Sequence, residues 1–156
     1  MPLAIQLMPT AATPIKDSEI ELRSVDMRIL IIDDSVVMRK IVESALRHAG
    51  FELAQVLHAC DGLDGLAVLE RATERDESFD LILCDVHMPV MDGLGFLIEK
   101  PRRNLAPGVP VVMITADASD PHLLQAIAAG AQGYISKPFT LEQMQTRVAS
   151  LLLNAV

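Results

Sequence analysis

The stretch Phe79-Asp80-Leu81-Ile82-Leu83-Cys84-Asp85 is an apolar run closed by a carboxylate. A short apolar run without polar alternation fits a strand buried on both faces, as in a parallel sheet covered by helices. The same grammar recurs outward from it. RILII (28–32) precedes Asp33 and Asp34, VVMI (111–114) precedes Thr115, and GYIS (133–136) precedes Lys137. Segments with helical spacing lie between these runs. One spans 36–48 with Val37, Ile41, Ala45 and Leu46 as its apolar stripe and Gly50 as its stop. Asp61 can cap a second over 62–75, whose stripe includes Leu63, Leu66, Ala67 and Leu69. Asp92-Gly93 reads as a turn and the start of a third helix. Asp120-Pro121 pairs an acceptor with a proline at the first helical position and opens a fourth. Thr140 and Gln143 match a capping box at the fifth. A weaker strand over 52–59 suits a sheet edge.

Strand and helix thus alternate five times, with short connections. That pattern predicts an α/β fold: a three-layer (βα)5 flavodoxin-like sandwich, parallel strands in the order 2-1-3-4-5, right-handed crossovers. In such a sheet ligands bind outside the carboxyl ends of the strands, at the switch point between the first and third. Asp33-Asp34 and Asp85 stand at those two ends. Thr115 and Lys137 end the neighbouring strands. Three carboxylates a few ångströms apart repel by up to roughly 4 kcal/mol per pair at an effective dielectric of 20. A hard dication removes that repulsion. Mg²⁺, with Mn²⁺ as a substitute, suits carboxylates, waters and a phosphate oxygen. A phosphoryl group beside it would find a cation in Lys137 and a donor in Thr115.

Composition narrows the classes. At 156 residues there is room for one domain, read here as 27–156, behind an N-terminal extension over 1–26 expected to be disordered. Apolar residues make up 51% of the chain and aromatic ones 3%, so the core must be aliphatic. A net charge of −8 argues against a nucleic-acid surface, which needs clustered Lys and Arg. No apolar stretch approaches a membrane span, and the N-terminus lacks the basic region of a signal peptide. Cys60 and Cys84 have no metal-ligand spacing and read as buried free thiols, as in a cytoplasmic protein. In the third helix Pro101 falls on the stripe of Leu94, Leu97 and Ile98. The helix is expected to end or kink near residue 100, leaving 101–108 irregular.

The segments IIDDSVVMRKIV (31–42), LILCDVHMPVMDG (81–93), VVMITA (111–116) and GYISKPF (133–139) resemble the response-regulator receiver domain of two-component signalling. The spacings of 52, 30 and 22 residues between Asp33, Asp85, Thr115 and Lys137 fit it as well. Among receivers the chain is most similar to stand-alone chemotaxis-type regulators. The resemblance implies that Asp85 is the phosphoacceptor, and that Asp34, Asp85 and the His87 backbone carbonyl ligate Mg²⁺, with Asp33 acting through water. It implies phosphoryl contacts from Thr115 and Lys137, a switch through Thr115 and Tyr134, and phosphoryl lifetime tuned by His87 and Asp117. It also implies a cis Lys137-Pro138 bond. A histidine kinase or phosphotransfer protein would be the donor. The output would be a protein bound by the fourth helix, last strand and last helix of a monomer or weak homodimer. On this reading the chain is no enzyme beyond self-phosphorylation and slow autodephosphorylation. Two rivals stay open at this point. One is a binding module that works unphosphorylated. The other is an aspartyl-phosphate phosphohydrolase, which usually needs an acid two residues past the nucleophile, where this chain has His87.

Overall fold

Each apolar run is a strand, and each helical stripe a helix. The computed structural model describes residues 26–154, so the extension read over 1–26 lies, Asp26 apart, outside the described residues. In chain order the elements are β1 (Met27–Ile32), α1 (Val36–His48), β2 (Leu53–Ala59), α2 (Gly62–Glu74) and β3 (Leu81–Asp85), followed by α3 (Gly93–Arg102), β4 (Val111–Thr115), α4 (Pro121–Ala128), β5 (Gly133–Ser136) and α5 (Leu141–Asn154). The five strands form one parallel sheet in the order β2-β1-β3-β4-β5.

The unbroken runs are explained by two cores. Ile29, Ile31, Leu81, Leu83, Val112 and Ile114 pack with Val42 and Leu46 of α1 and Met144 and Val148 of α5. The alternate residues Leu30, Ile32, Ile82, Cys84 and Met113 face Leu66 and Leu69 of α2, Phe96 of α3 and Leu123 of α4. Successive side chains of a strand point to opposite faces, so a strand serving both cores has no polar face to offer. β2, at the edge, leaves Ala54 and Gln55 exposed.

The start signals work as read. Asp61, Asp92 and Asp120 accept from the backbone N–H groups of Asp64, Gly95 and His122. At α5 the capping box is reciprocal: Gln143 N donates to Thr140 Oγ1 at 3.0 Å, and Thr140 N donates to Gln143 Oε1 at 2.9 Å. The first helix is capped by Ser35, whose Oγ accepts from Met38 N at 3.1 Å, which leaves the aspartates before it for other work.

Four expectations need correction. α3 runs through Pro101 to Arg102, because a proline in the last turn forfeits one backbone bond while Arg103 N still reaches Glu99 O. In α1 the buried line is Val42, Ala45 and Leu46, whereas Val37 and Ile41 are exposed. Leu63 of α2 and Ile98 of α3 likewise face outward. An amphipathic stripe fixes the apolar side only to within about one residue, and the helix's seat on the sheet decides which edge is covered. Finally, Cys84 is buried but Cys60 is exposed, since it lies past the end of β2 in the turn toward Asp61.

Val90, in the turn after β3, and Gly93, the first residue of α3, make opposite demands on a side chain. Val90 is β-branched and stands in the left-handed region at φ 68°. Gly93 is required for close approach, because a Cβ there would lie 2.5 Å from the Asp85 carbonyl oxygen and 2.7 Å from Met113 Cε. Val90→Asn should therefore stabilise the fold by about 1 kcal/mol, since asparagine tolerates this conformation. Gly93→Ala should cost about 1–3 kcal/mol by overpacking. Urea midpoints at constant m-value measure both.

Candidate functional site

The register of the sheet assembles the site. Ile32 pairs with Cys84, so the residues that follow, Asp33 and Asp85, end side by side. Thr115 pairs with Ser136, and Lys137 N donates to Thr115 O at 2.7 Å, which sets Lys137 one step beyond. Carboxylate oxygens of Asp33, Asp34 and Asp85 all lie within 4.8 Å of one another. Lys137 Nζ stands 3.6 Å from Asp85 Oδ1 and 3.8 Å from Asp33 Oδ2. The Lys137-Pro138 bond is cis.

The acids are not equivalent. Asp33 is buried, and its Oδ1 accepts from Ser35 N at 2.8 Å. Burial pushes its carboxyl above the ordinary range, against the pull of the Ser35 amide and the Lys137 charge. Asp85 is also held above the ordinary range, first by burial and then by the charge of Asp33, while Lys137 opposes the shift. Asp34 is exposed. An all-oxygen donor set in which burial and neighbouring carboxylates disfavour the charge of Asp33 and Asp85 fits a hard divalent cation, and Mg²⁺ in particular.

Thr115 is buried, and its hydroxyl is engaged: it donates to Asp117 O at 3.0 Å and accepts from Asp117 N at 3.1 Å. The Asp117 carboxylate is taken up by Ser119. Tyr134, on the edge strand β5, is 38% exposed and so is turned outward. The His87 side chain contacts Asp120 at the start of α4. Backbone donation from His122, then His87, holds the Asp120 carboxyl down to about 2.

One residue near the site escaped the sequence reading. Arg39 of α1 donates to the Asp33 carbonyl at 2.5 Å and to His58 Nδ1 of β2 at 3.2 Å, tying the end of β1 to its neighbours. In sequence it is part of a short basic knot with Lys40, and nothing there separates an inward arginine from an outward lysine.

Comparison with known proteins agrees with this geometry. The profile of the response regulator receiver domain matches residues 29–149. The chain belongs to the receiver-domain family. It is 37% identical to the chemotaxis protein CheY-3 of Vibrio cholerae serotype O1 over 123 residues, 79% of this chain and 89% of that one. The structure of a CheY-like receiver from Methanospirillum hungatei superposes with a TM-score of 0.69 at 29% identity, covering 84% of this chain and 97% of that one. The receiver domain of the sensor histidine kinase PA1611 from Pseudomonas aeruginosa has a TM-score of 0.69 at 26% identity, over 82% of this chain and 98% of that one. That structure holds a magnesium ion in its active-site cleft. This receiver is thus similar to single-domain chemotaxis regulators, a family of signalling switches. Among the described residues no helix is long and apolar enough to cross a membrane.

The crowding of Asp85 has a measurable consequence. Its folded-state pKa lies above the ordinary 3.8, so ionising it costs stability, and the cost sets in as pH rises through the folded value. Without divalent cations, Asp85→Asn should raise stability near pH 7 by about 1–2 kcal/mol, the size of one screened like-charge contact. The gain should fade as pH falls below about 4, where both states are protonated. Thermal melts at several pH values check this, and added Mg²⁺ should narrow the gap by stabilising the wild type.

Proposed function

We propose that this receiver is a phosphoacceptor switch in which Asp85 takes a phosphoryl group from a histidine kinase or phosphotransfer protein. The observation that carries the proposal is the ammonium of Lys137 beside both Asp85 and Asp33, at 3.6 and 3.8 Å, over a cluster of three carboxylates. A carboxylate is a weak nucleophile, so in-line phosphoryl transfer depends mainly on positioning and charge neutralisation. Asp85 Oδ attacks phosphorus, the P–N bond of the donor phosphohistidine breaks, and the imidazole leaves with that electron pair. An acyl phosphate remains. Mg²⁺, when bound, supplies charge neutralisation for the acids and the phosphoryl oxygens; Asp34, Asp85 and the His87 carbonyl would hold it directly and Asp33 through water. Lys137 orients a phosphoryl oxygen. Water later attacks phosphorus, releasing inorganic phosphate and the free carboxylate. His87 and Asp117, near the mouth of the site, tune that lifetime. Two residues past Asp85, where a phosphohydrolase of this class needs its acid, stands His87, which contacts Asp120.

The switch follows from the engagement of Thr115. Its hydroxyl must give up the Asp117 carbonyl to donate to a phosphoryl oxygen, so that bond exists only in the phosphorylated state. Charge-assisted bonds contribute about 1.5–3 kcal/mol each. Two, from Thr115 and Lys137, supply most of the roughly 5.5 kcal/mol that inverts a 1:99 equilibrium. Tyr134, now outward, rotates into the space behind Thr115. The face of α4, β5 and α5 then changes its affinity for a protein target. The switch operates in the cytoplasm, as a monomer or weak homodimer spanning 27–156.

Incubation with acetyl phosphate tests the chemistry. Mg²⁺-dependent, acid-stable and base-labile labelling is expected in the wild type and absent in Asp85→Asn; an unlabelled wild type with its fold intact would instead favour a module that works unphosphorylated. The chain has one tyrosine and no tryptophan, so tyrosine emission reports Tyr134 alone. Phosphorylation should change that emission in the wild type and leave it unchanged in a Thr115→Ala protein that still takes the label.

A further inference from the structure

A second group of metal-ligating side chains lies on the rim, apart from the acids. His87 comes from the turn after β3, and Asp120 and His122 from the start of α4. His87 Nε2 contacts Asp120 Oδ2, and His122 Nδ1 lies 3.1 Å from Asp120 Oδ1. Two imidazoles thus converge on the two oxygens of one carboxylate, with ring centroids 5.0 Å apart and planes at 74°. We propose that His87, Asp120 and His122 form a binding site for a transition-metal dication of the zinc class, separate from the magnesium-type acidic cluster.

Donor chemistry separates the two centres. Asp33, Asp34 and Asp85 offer only carboxylate oxygens, which suit a hard ion. Two neutral imidazoles and a carboxylate select zinc, copper or nickel. The geometry is within reach. Ligand atoms of the three residues lie within 4.8 Å of one another. Bonds of about 2.0–2.2 Å to nitrogen and oxygen place tetrahedral donors roughly 3.3 Å apart, so small side-chain rotations suffice. The carboxylate is the fixed member: its side chain is only 13% exposed and is pinned by the His122 backbone N–H at 2.9 Å. The imidazoles, 60% and 51% exposed, are held by contacts with Asp120 rather than by burial, so their rings can turn onto an ion. The net charge of −8 favours cation binding in general, and the nearby Asp117 adds to it locally.

The competing arrangement is purely structural, with both rings donating N–H to Asp120 and no ion involved. Zinc titration by calorimetry on the full chain, with Mg²⁺ in large excess to saturate the acidic cluster, separates the two. One equivalent of Zn²⁺ is expected to bind despite the Mg²⁺ and to raise Tm. The affinity should fall at least about 10–100-fold in His87→Ala and in His122→Ala, since even supporting partners of metal ligands contribute that much. Binding should persist in Asp34→Asn, and Co²⁺ should give ligand-field absorption that is lost in His122→Ala. Circular dichroism of the metal-free variants checks that truncating these exposed rings leaves the fold intact. Competition by Mg²⁺, or loss in Asp34→Asn, would put the zinc in the acidic cluster and overturn the proposal. Equal affinity in the wild type and His122→Ala, or no binding at all, would overturn it too.

Discussion

Carboxylate repulsion at the carboxyl edge of the sheet is the constraint around which the molecule is arranged. β1 and β3 run parallel and in register, with Asp33 directly after β1 and Asp85 at the end of β3, so the two acids are forced together where burial already disfavours their charge. Lys137 is the protein's own partial answer, and its place is fixed by the pairing of β4 with β5. The remainder of that repulsion is what a hard dication would relieve, and it is the physical basis of the proposed phosphoacceptor chemistry.

The rest of the fold makes this crowding sustainable. Because the central strands are buried on both faces, their positions are set by two aliphatic cores, one with α1 and α5 and one with α2, α3 and α4. Gly93 adds a close contact directly on the Asp85 carbonyl, where any side chain would displace the strand end. Caps at Ser35, Asp61, Asp92 and Asp120 begin the helices a few residues past the strand ends, on the same edge. The site therefore rests on rigid strand ends, while the loops that border it carry Thr115's bond to Asp117 and the His87 contact with Asp120. Rigid chemistry beside adjustable loops is the combination a switch requires.

Much of the architecture was legible in the sequence because its causes are local. Apolar runs of strand length, helix caps and the glycine after α1 act over a few residues, and strand order followed from the handedness of short crossovers. The oxygen cluster was legible for the same reason, since residues that end parallel strands share an edge whatever the loops do. Where local rules compete, reading failed. Pro101 forbids a helix interior but is tolerated in a last turn, and Val37, Ile41 and Leu63 belong to stripes that the sheet covers only in part. Cys60 adjoins an apolar run and reads as buried, yet it lies just past the strand and is exposed.

By itself, then, the sequence determined which residues stand at the strand ends and what class of chemistry they can support, because periodicity and strand order are properties of the chain. Only the tertiary structure decided what the polar side chains touch. His87 and His122 are far apart in sequence with no shared spacing, yet meet on Asp120 because the β3–α3 and β4–α4 turns are neighbours across the sheet edge. Arg39 turns inward to the Asp33 carbonyl, and Thr115 is held by Asp117 rather than by the acids. Such contacts depend on distances between loops, which are set by packing many residues away and leave no periodic trace along the chain.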